Sequence, residues 1–202
     1  MSPLTIDFLS PTLRYRFQHA SLKKELLARA MGKHPRDNPV IIDATAGLGR
    51  DSMLLAVLGF KVTMIERSPV LYDLLKDALA RAADDKTLSE ACARLELILA
   101  DSVDWLRSPA CIEQKKPDII YLDPMFPERK KSASVKKEMV SLQELLGKDD
   151  NVQDLFSAAM ACGANRVVVK RPRLSPNIVC APGPAFTLSG KSSRFDVYLN
   201  PR

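Results

Sequence analysis

Apolar positions along the 202-residue chain switch repeatedly between short continuous runs and a helical spacing. Residues 40–44 (VIIDA), 61–66 (KVTMIE), 95–100 (LELILA), 117–122 (PDIIYL) and 166–171 (RVVVKR) are five or six residues with β-branched and aliphatic side chains at their centres. That length and composition predict buried strands. Between them, residues 51–60 (DSMLLAVLGF), 68–83 (SPVLYDLLKDALARAA) and 102–108 (SVDWLRS) repeat apolar positions every three or four residues and predict helices. Ser68 is placed to cap the second of these, with Pro69 at its first helical position. Residues 142–163 predict a helical segment on either side of GKDD. The tail, AFTLSG and RFDVYLN around KSS, predicts a hairpin-like pair of strands.

Residues 1–38 carry no such alternation. Pro3 and Pro11 interrupt the stretch LTIDFLSPTLRYRF, and SLKKELLARAMG has helical spacing closed by Gly32. The pattern divides the chain into an N-terminal helical or irregular extension, 1–38, and one α/β domain, 39–202. Alternating strands and helices predict a mainly parallel sheet with helices on both faces. In such sheets ligands bind beyond the carboxyl ends of the strands. Four of those ends carry acids: Asp43, Glu66, Asp101 and Asp123.

The turn after the first strand, DATAGLGRD, sets Gly47 and Gly49 where a strand becomes a helix, so backbone can approach a ligand closely. The dinucleotide fingerprint G-x-G-x-x-G is not met, because Ser52 stands at the third glycine position. An acid before the glycines suits an ammonium-bearing ligand better than a pyrophosphate. Glu66, about twenty residues further on, is placed to accept both hydroxyls of a ribose. Asp101 and Ser102 lie beside the same crevice, where an acid or hydroxyl can read an adenine amino group.

Composition narrows the chemistry. A formal charge of +6 permits a polyanionic partner without requiring one. The four cysteines are dispersed without a C-x-x-C pair, and there are two histidines, His19 and His34, so a zinc site is not expected. The cysteines are expected to be reduced, mostly buried small hydrophobes. No signal peptide or membrane span is visible, which predicts a soluble cytoplasmic protein.

Taken together, Asp43, Gly47, Gly49, Glu66 and Asp101 resemble the cofactor site of class I S-adenosylmethionine-dependent methyltransferases. The resemblance runs from Val40 to the closing strand pair. It implies a Rossmann-like fold with a mostly parallel seven-stranded sheet and an antiparallel C-terminal hairpin edge. The stretch YLDPMFP at the fourth strand end then falls where enzymes of this fold place catalytic residues. Its DPMF is similar to the Asp-Pro-Pro-Tyr/Phe motif of enzymes that methylate exocyclic amines of bases. The implied catalytic set is Asp123, Pro124 and Phe126. The carboxylate and the proline carbonyl would accept the amine N–H groups, and the ring would stack on the base.

The longer string DATAGLGRDS, MIERSP, YLDPMFPERKKSASVKKEM, RVVVKRP and RFDVY closely resembles the bacterial 16S ribosomal RNA guanine-N2 methyltransferases of the methyltransferase J family. That resemblance implies 16S rRNA or the small ribosomal subunit as partner and S-adenosylmethionine as cofactor. It also implies contacts to the cofactor from Arg50, Asp51, Glu66, Arg67, Asp101, Ser102 and Asp123. The basic residues Arg129, Lys130, Lys131, Lys136, Lys137, Lys170 and Arg171 are expected to contact RNA, with Arg173, Arg14 and Arg16 as possible additions. Alternatives are an adenine-N6 or other amino-group methyltransferase acting on nucleic acid or protein, or a non-catalytic RNA-binding assembly factor. An NAD-dependent dehydrogenase is disfavoured by Ser52 and by the lack of a hydride-site histidine.

Overall fold

A computed structural model of the chain describes residues 4–115, 117–124, 152–178 and 183–200. The helices are α1 (Pro11–His19), α2 (Leu26–Met31), α3 (Arg50–Val57), α4 (Pro69–Ala83), α5 (Ser89–Cys92), α6 (Ser102–Arg107) and α7 (Val152–Ala161). The strands are β1 (Ile41–Asp43), β2 (Val62–Glu66), β3 (Leu95–Leu99), β4 (Ile119–Leu122), β5 (Arg166–Pro172), β6 (Phe186–Ser189) and β7 (Ser193–Leu199). They form one sheet in the order β3-β2-β1-β4-β5-β7-β6. The first five strands run parallel, and β7 pairs antiparallel with both β5 and β6. The expected parallel sheet with a hairpin edge is therefore present. Chain order reverses between β1 and β4, which is the switch point where a crevice opens in such sheets.

Both faces of the sheet are buried, and strand alternation divides the core into two layers. Ile41, Met64, Ile119, Tyr121 and Val168 face one layer, with Leu54 of α3 and Leu75 of α4. Their neighbours Ile42, Ile65, Ile120, Leu122, Val167 and Val169 face the other, with Trp105 and Leu106 of α6 and Phe156 of α7. A period of two with no polar face explains why these strands read as continuous apolar runs. Cys111 and Cys162 are buried free thiols and Cys92 is half-buried; Cys180 lies outside the described residues. Among the described residues no helix is long and apolar enough to cross a membrane.

In the N-terminal segment, expected to be helical or irregular, one reading is corrected. Pro11 does not interrupt structure; it begins α1, where its missing N–H leaves no intrahelical bond unmade. Phe8, Phe17, Leu27 and Met31 enter the first core layer. Arg81 of α4 holds this segment by donating to the Ile6 carbonyl at 2.6 Å. α2 is shorter than the helical spacing suggested, beginning at Leu26 and ending at Met31, with Gly32 as the expected C-cap. The helical segment expected before GKDD lies outside the described residues.

At the hairpin edge, one buried ion pair organises the chain after β5. Arg194 donates through Nε to both carboxylate oxygens of Asp196, and through Nη1 to the carbonyls of Arg173 and Ser175. Its Nη2 reaches Asn177 Oδ1 at 2.7 Å. Asp196 is fully buried, and Thr187 of β6 also donates to it. Removing the acid would leave a buried cation without its counter-charge, a loss of about 3–5 kcal/mol. Asp196→Ala should lower stability by that amount in urea unfolding; a loss of under about 1 kcal/mol would contradict the buried-pair account.

Candidate active site

The ends of β1, β2, β3 and β4 lie side by side, and the turn after β1 shapes the crevice beyond them. Gly49 has φ of 68°, and a Cβ there would meet Leu75 Cδ2 at 2.7 Å and both Met64 Cε and Phe8 Cζ at 3.1 Å. Packing of α4, β2 and the N-terminal segment thus forbids a side chain at the start of α3. A Cβ at Gly47, φ 53°, would meet the Thr45 carbonyl oxygen at 3.7 Å, an ordinary contact, and the Gly47 N–H donates to Glu66 Oε2 at 2.9 Å. The backbone conformation, not crowding, requires glycine there.

Asp43 ends β1 and is 2% exposed. Its Oδ2 accepts from Ser52 Oγ at 2.5 Å, and its Oδ1 accepts from the Thr45 N–H at 3.0 Å and from Thr45 Oγ1 at 3.3 Å. Burial raises its pKa to about 7 against the pull of these bonds, and the nearby charges of Asp51 and Asp123 push the same way. Thr45 ties this acid to β4, because its Oγ1 also accepts the Asp123 N–H at 2.6 Å.

A second cluster crosses from α3 to β4 and β5. Lys170 Nζ donates to Asp51 Oδ2 at 2.6 Å and to Asp123 Oδ2 at 2.8 Å. The Tyr121 hydroxyl donates to the same Asp51 oxygen at 2.7 Å, and Arg16 of α1 stands 3.9 Å from Asp51 Oδ1. Burial alone would raise Asp51, but the Lys170 charge and the bonds from Lys170 and Tyr121 hold it below the ordinary carboxylate value. Asp123 is raised, first by burial and then by Asp51, with Lys170 opposing both. Burial would lower Lys170, yet its two acids hold it above the usual lysine value.

Glu66 ends β2 and accepts from the backbone N–H groups of Gly47 and Ser68, at 2.9 and 2.8 Å. Its pKa is raised by burial despite these bonds. Asp101 caps α6, accepting from the N–H groups of Val103 and Asp104. Ser102 donates to the Ala44 carbonyl at 2.7 Å, which binds the β3 end to the glycine turn. Arg50 is partly buried, Arg67 is exposed and Pro124 is buried.

Asp43, Gly47, Glu66, Asp51 and Asp123 are thus brought together around one turn. Of the basic residues expected at an RNA-facing rim, Lys170 points into this cluster. Arg171 is 6% exposed and donates to the Pro176 carbonyl. Arg173 is exposed. Phe126, Arg129, Lys130, Lys131, Lys136 and Lys137 lie outside the described residues. Sequence reasoning missed Thr45, Ser52 and Tyr121 as members of the network. Ser52 had signalled only a failed dinucleotide fingerprint, and Tyr121 reads as one more strand residue.

This donor set suits a cationic, hydroxyl-bearing ligand. Lys170 faces Asp51 and Asp123, Arg16 stands farther off beside Asp51 and Arg67 acts on Glu66, so with Asp43 four acids meet three bases around the turn. Glu66 accepts the N–H groups of Gly47, Ser68 and Arg67, and a carboxylate offers about four acceptor sites, so capacity remains for a ribose hydroxyl. Among the described residues no group of three or more His, Cys, Asp or Glu side chains is arranged to hold a metal.

The sheet order and the acid-lined crevice at its carboxyl end define a class I methyltransferase architecture. A family model described as "Putative SAM-dependent methyltransferase" matches residues 1–200. A solved SAM-dependent methyltransferase from Neisseria gonorrhoeae is 36% identical with a TM-score of 0.75, covering 98% of this chain and 75% of its own. A protein from Thioalkalivibrio sulfidiphilus named ribosomal RNA small subunit methyltransferase J is 46% identical over 198 residues, 98% of this chain and 76% of the relative. One of the same name from Pseudomonas aeruginosa is 43% identical over 196 residues, 97% of this chain and 74% of the relative. The chain belongs to the S-adenosylmethionine-dependent methyltransferases, in the ribosomal RNA small subunit methyltransferase J family.

The buried acid of β1 makes a testable difference to stability. Between its ordinary value of 3.8 and about 7, the folded chain holds a proton on Asp43 that the unfolded chain has released. Stability contributed by that proton is present below this window and is lost as pH rises through it. Asp43→Asn removes the dependence while keeping the Thr45 and Ser52 neighbours. The stability of the variant relative to the parent should therefore rise between about pH 5 and pH 8, by up to a few kcal/mol in urea unfolding. Parallel pH profiles would contradict this.

Proposed function

We propose that the chain transfers a methyl group from S-adenosylmethionine to the exocyclic N2 amine of a guanosine in 16S rRNA, free or within the small ribosomal subunit. The observation that carries this is Asp123, at the end of β4 and beside the glycine turn. Its backbone is fixed by Thr45 and one of its carboxylate oxygens by Lys170. The names of the relatives support ribosomal RNA as the substrate class. The DPMF resemblance supports an amine as the acceptor.

When bound, the cofactor supplies a methyl group on a sulfonium, already electrophilic. Glu66 would take the ribose hydroxyls, and Asp43 with the Gly47–Gly49 turn would take the amino-acid end. Asp101 and Ser102 would lie towards the adenine, and Arg50, Asp51 and Arg67 would complete the surroundings. The work left to the protein is on the nucleophile. A guanine amine is weak because its lone pair is delocalised into the ring. Hydrogen bonds from its N–H groups to Asp123 and to the Pro124 carbonyl would turn that lone pair towards the methyl carbon. Phe126 would stack on the base, an arrangement that requires it to leave its helical stack. The amine nitrogen would take the methyl group, the cofactor would leave as a neutral thioether, and the proton shed by the amine would pass to solvent. Such positioning supplies most of the rate gain when the methyl donor is already reactive.

RNA contact is assigned to Arg129, Lys130, Lys131, Lys136 and Lys137, which follow the DPMF stretch closely in sequence, and to the exposed Arg173. These would neutralise phosphates around the target. Asp123→Ala should reduce labelled methyl transfer into 16S rRNA by at least about 100-fold while calorimetric cofactor affinity stays within a few-fold. Retained turnover would overturn the role of Asp123. Absence of cofactor binding by the parent chain would favour a non-catalytic assembly factor.

A further inference from the structure

Lys170 stands out among the basic residues of the chain because its charge is already committed. Its ammonium lies 2.6 Å from Asp51 Oδ2 and 2.8 Å from Asp123 Oδ2, and the side chain is 27% exposed. A lysine that grips RNA phosphate needs an accessible, uncompensated charge, and this one has two carboxylates. β5 brings it there through the register that pairs Tyr121 with Val168 and Leu122 with Val169, so that Lys170 follows one step beyond the end of β4.

We infer that Lys170 is a positioning residue for the transfer reaction: it clamps one oxygen of Asp123 and leaves the other, in a fixed orientation, as an anionic acceptor for the substrate amine. Two observations converge on this. The Asp123 backbone is held independently, by its N–H on Thr45 Oγ1, so the side-chain torsions are the freedom left for a clamp to remove. And Asp123 Oδ1 accepts no hydrogen bond among the described residues, whereas Asp51 Oδ2 accepts two. Asp51 is then the anchor of the clamp. Tyr121 fixes it, and its second oxygen faces Arg16, which also stands 3.8 Å from Glu25.

The charges facing Asp123 are Asp43 from the end of β1, Asp51 from α3 and Lys170 from β5, with the Tyr121 hydroxyl beside Asp51. Of these, Lys170 alone favours the ionised form of Asp123. Without it, three neighbouring acids share a buried corner, and Asp123 gains a proton at higher pH. A protonated Asp123 would offer the amine a donor where an acceptor is needed. Rate, rather than RNA affinity, is therefore what the lysine controls.

This inference rests on the catalytic role proposed for Asp123, and the test separates the two. Single-turnover methyl transfer into 16S rRNA is followed against pH for the parent, Lys170→Met and Lys170→Arg. Lys170→Met should lower the rate at neutral pH at least tenfold and move the acid limb upward by about one pH unit or more. Its KM for RNA should stay within about threefold, and Lys170→Arg should restore part of the rate. An unmoved acid limb, or a raised KM with an unchanged rate, would overturn the inference in favour of a phosphate contact. If the parent transfers no methyl group, the failure belongs to the proposed reaction. The carboxyl carbon resonance of Asp123 in the substrate-free protein then decides: it should titrate at higher pH in Lys170→Met, and an identical titration would overturn the clamp. Should Lys170→Met not fold, Lys170→Met is made in an Asp51→Asn background, which relieves the repulsion, and is compared with Asp51→Asn alone in both measurements.

Discussion

One ammonium shared between two carboxylates holds the site together. Asp51 and Asp123 each place an oxygen against Lys170 Nζ, so those oxygens lie only a few ångström apart. Without the cation, two ionised carboxylates ~5 Å apart repel by on the order of 3 kcal/mol at an effective dielectric near 20. With it, both can stay charged in a partly desolvated corner, as the acceptor role proposed for the acid of the DPMF stretch requires. The three groups come from α3, β4 and β5, so the cluster exists only when the sheet has closed in its correct order.

The rest of the fold serves that closure. β1 sits between β2 and β4, which brings the Asp43 and Asp123 ends together and lets Thr45 bond to both. The glycine turn then carries the chain over the crevice, with Gly47 bonded to Glu66 and Gly49 pressed against Leu75. The N-terminal segment supports this turn from behind, since Phe8 is one of the atoms' neighbours that leave Gly49 no room for a side chain. On the far side the β5–β7 pairing, secured by the buried Arg194–Asp196 pair, fixes the strand that bears Lys170. Stability and site geometry are here the same set of contacts.

Much of this was legible in the sequence because burial on both faces leaves a strong mark. Runs such as PDIIYL and RVVVKR could hardly be anything but interior strands, and acids at their ends pointed to the crevice. The strand-end position of Asp123 and the link from the glycine turn to Glu66 follow from that pattern. Lys170 was harder to read. In sequence it adjoins Arg171 and Arg173 and looks like part of a basic rim, but a strand sends successive side chains to opposite faces, and only the register shows which acids each one meets. Arg171 turns inward for the same reason. Thr45, Ser52 and Tyr121 lie within the quoted strings, but no residue pattern assigns them a partner; their roles come from hydrogen bonds seen only in the folded chain. Pro11 was misread because a proline that breaks a helix interior is also a favoured first residue.

The identity of the acceptor atom is the decisive property of the reaction. Mass analysis of nucleosides from 16S rRNA, taken from cells lacking the gene and then incubated with the purified chain and S-adenosylmethionine, measures it directly. The geometry of Asp123 predicts a methylated exocyclic amine, and the family resemblance predicts that it is N2-methylguanosine, formed in proportion to cofactor consumed. Methyladenosine without methylguanosine, or cofactor consumption with no modified nucleoside, would contradict it.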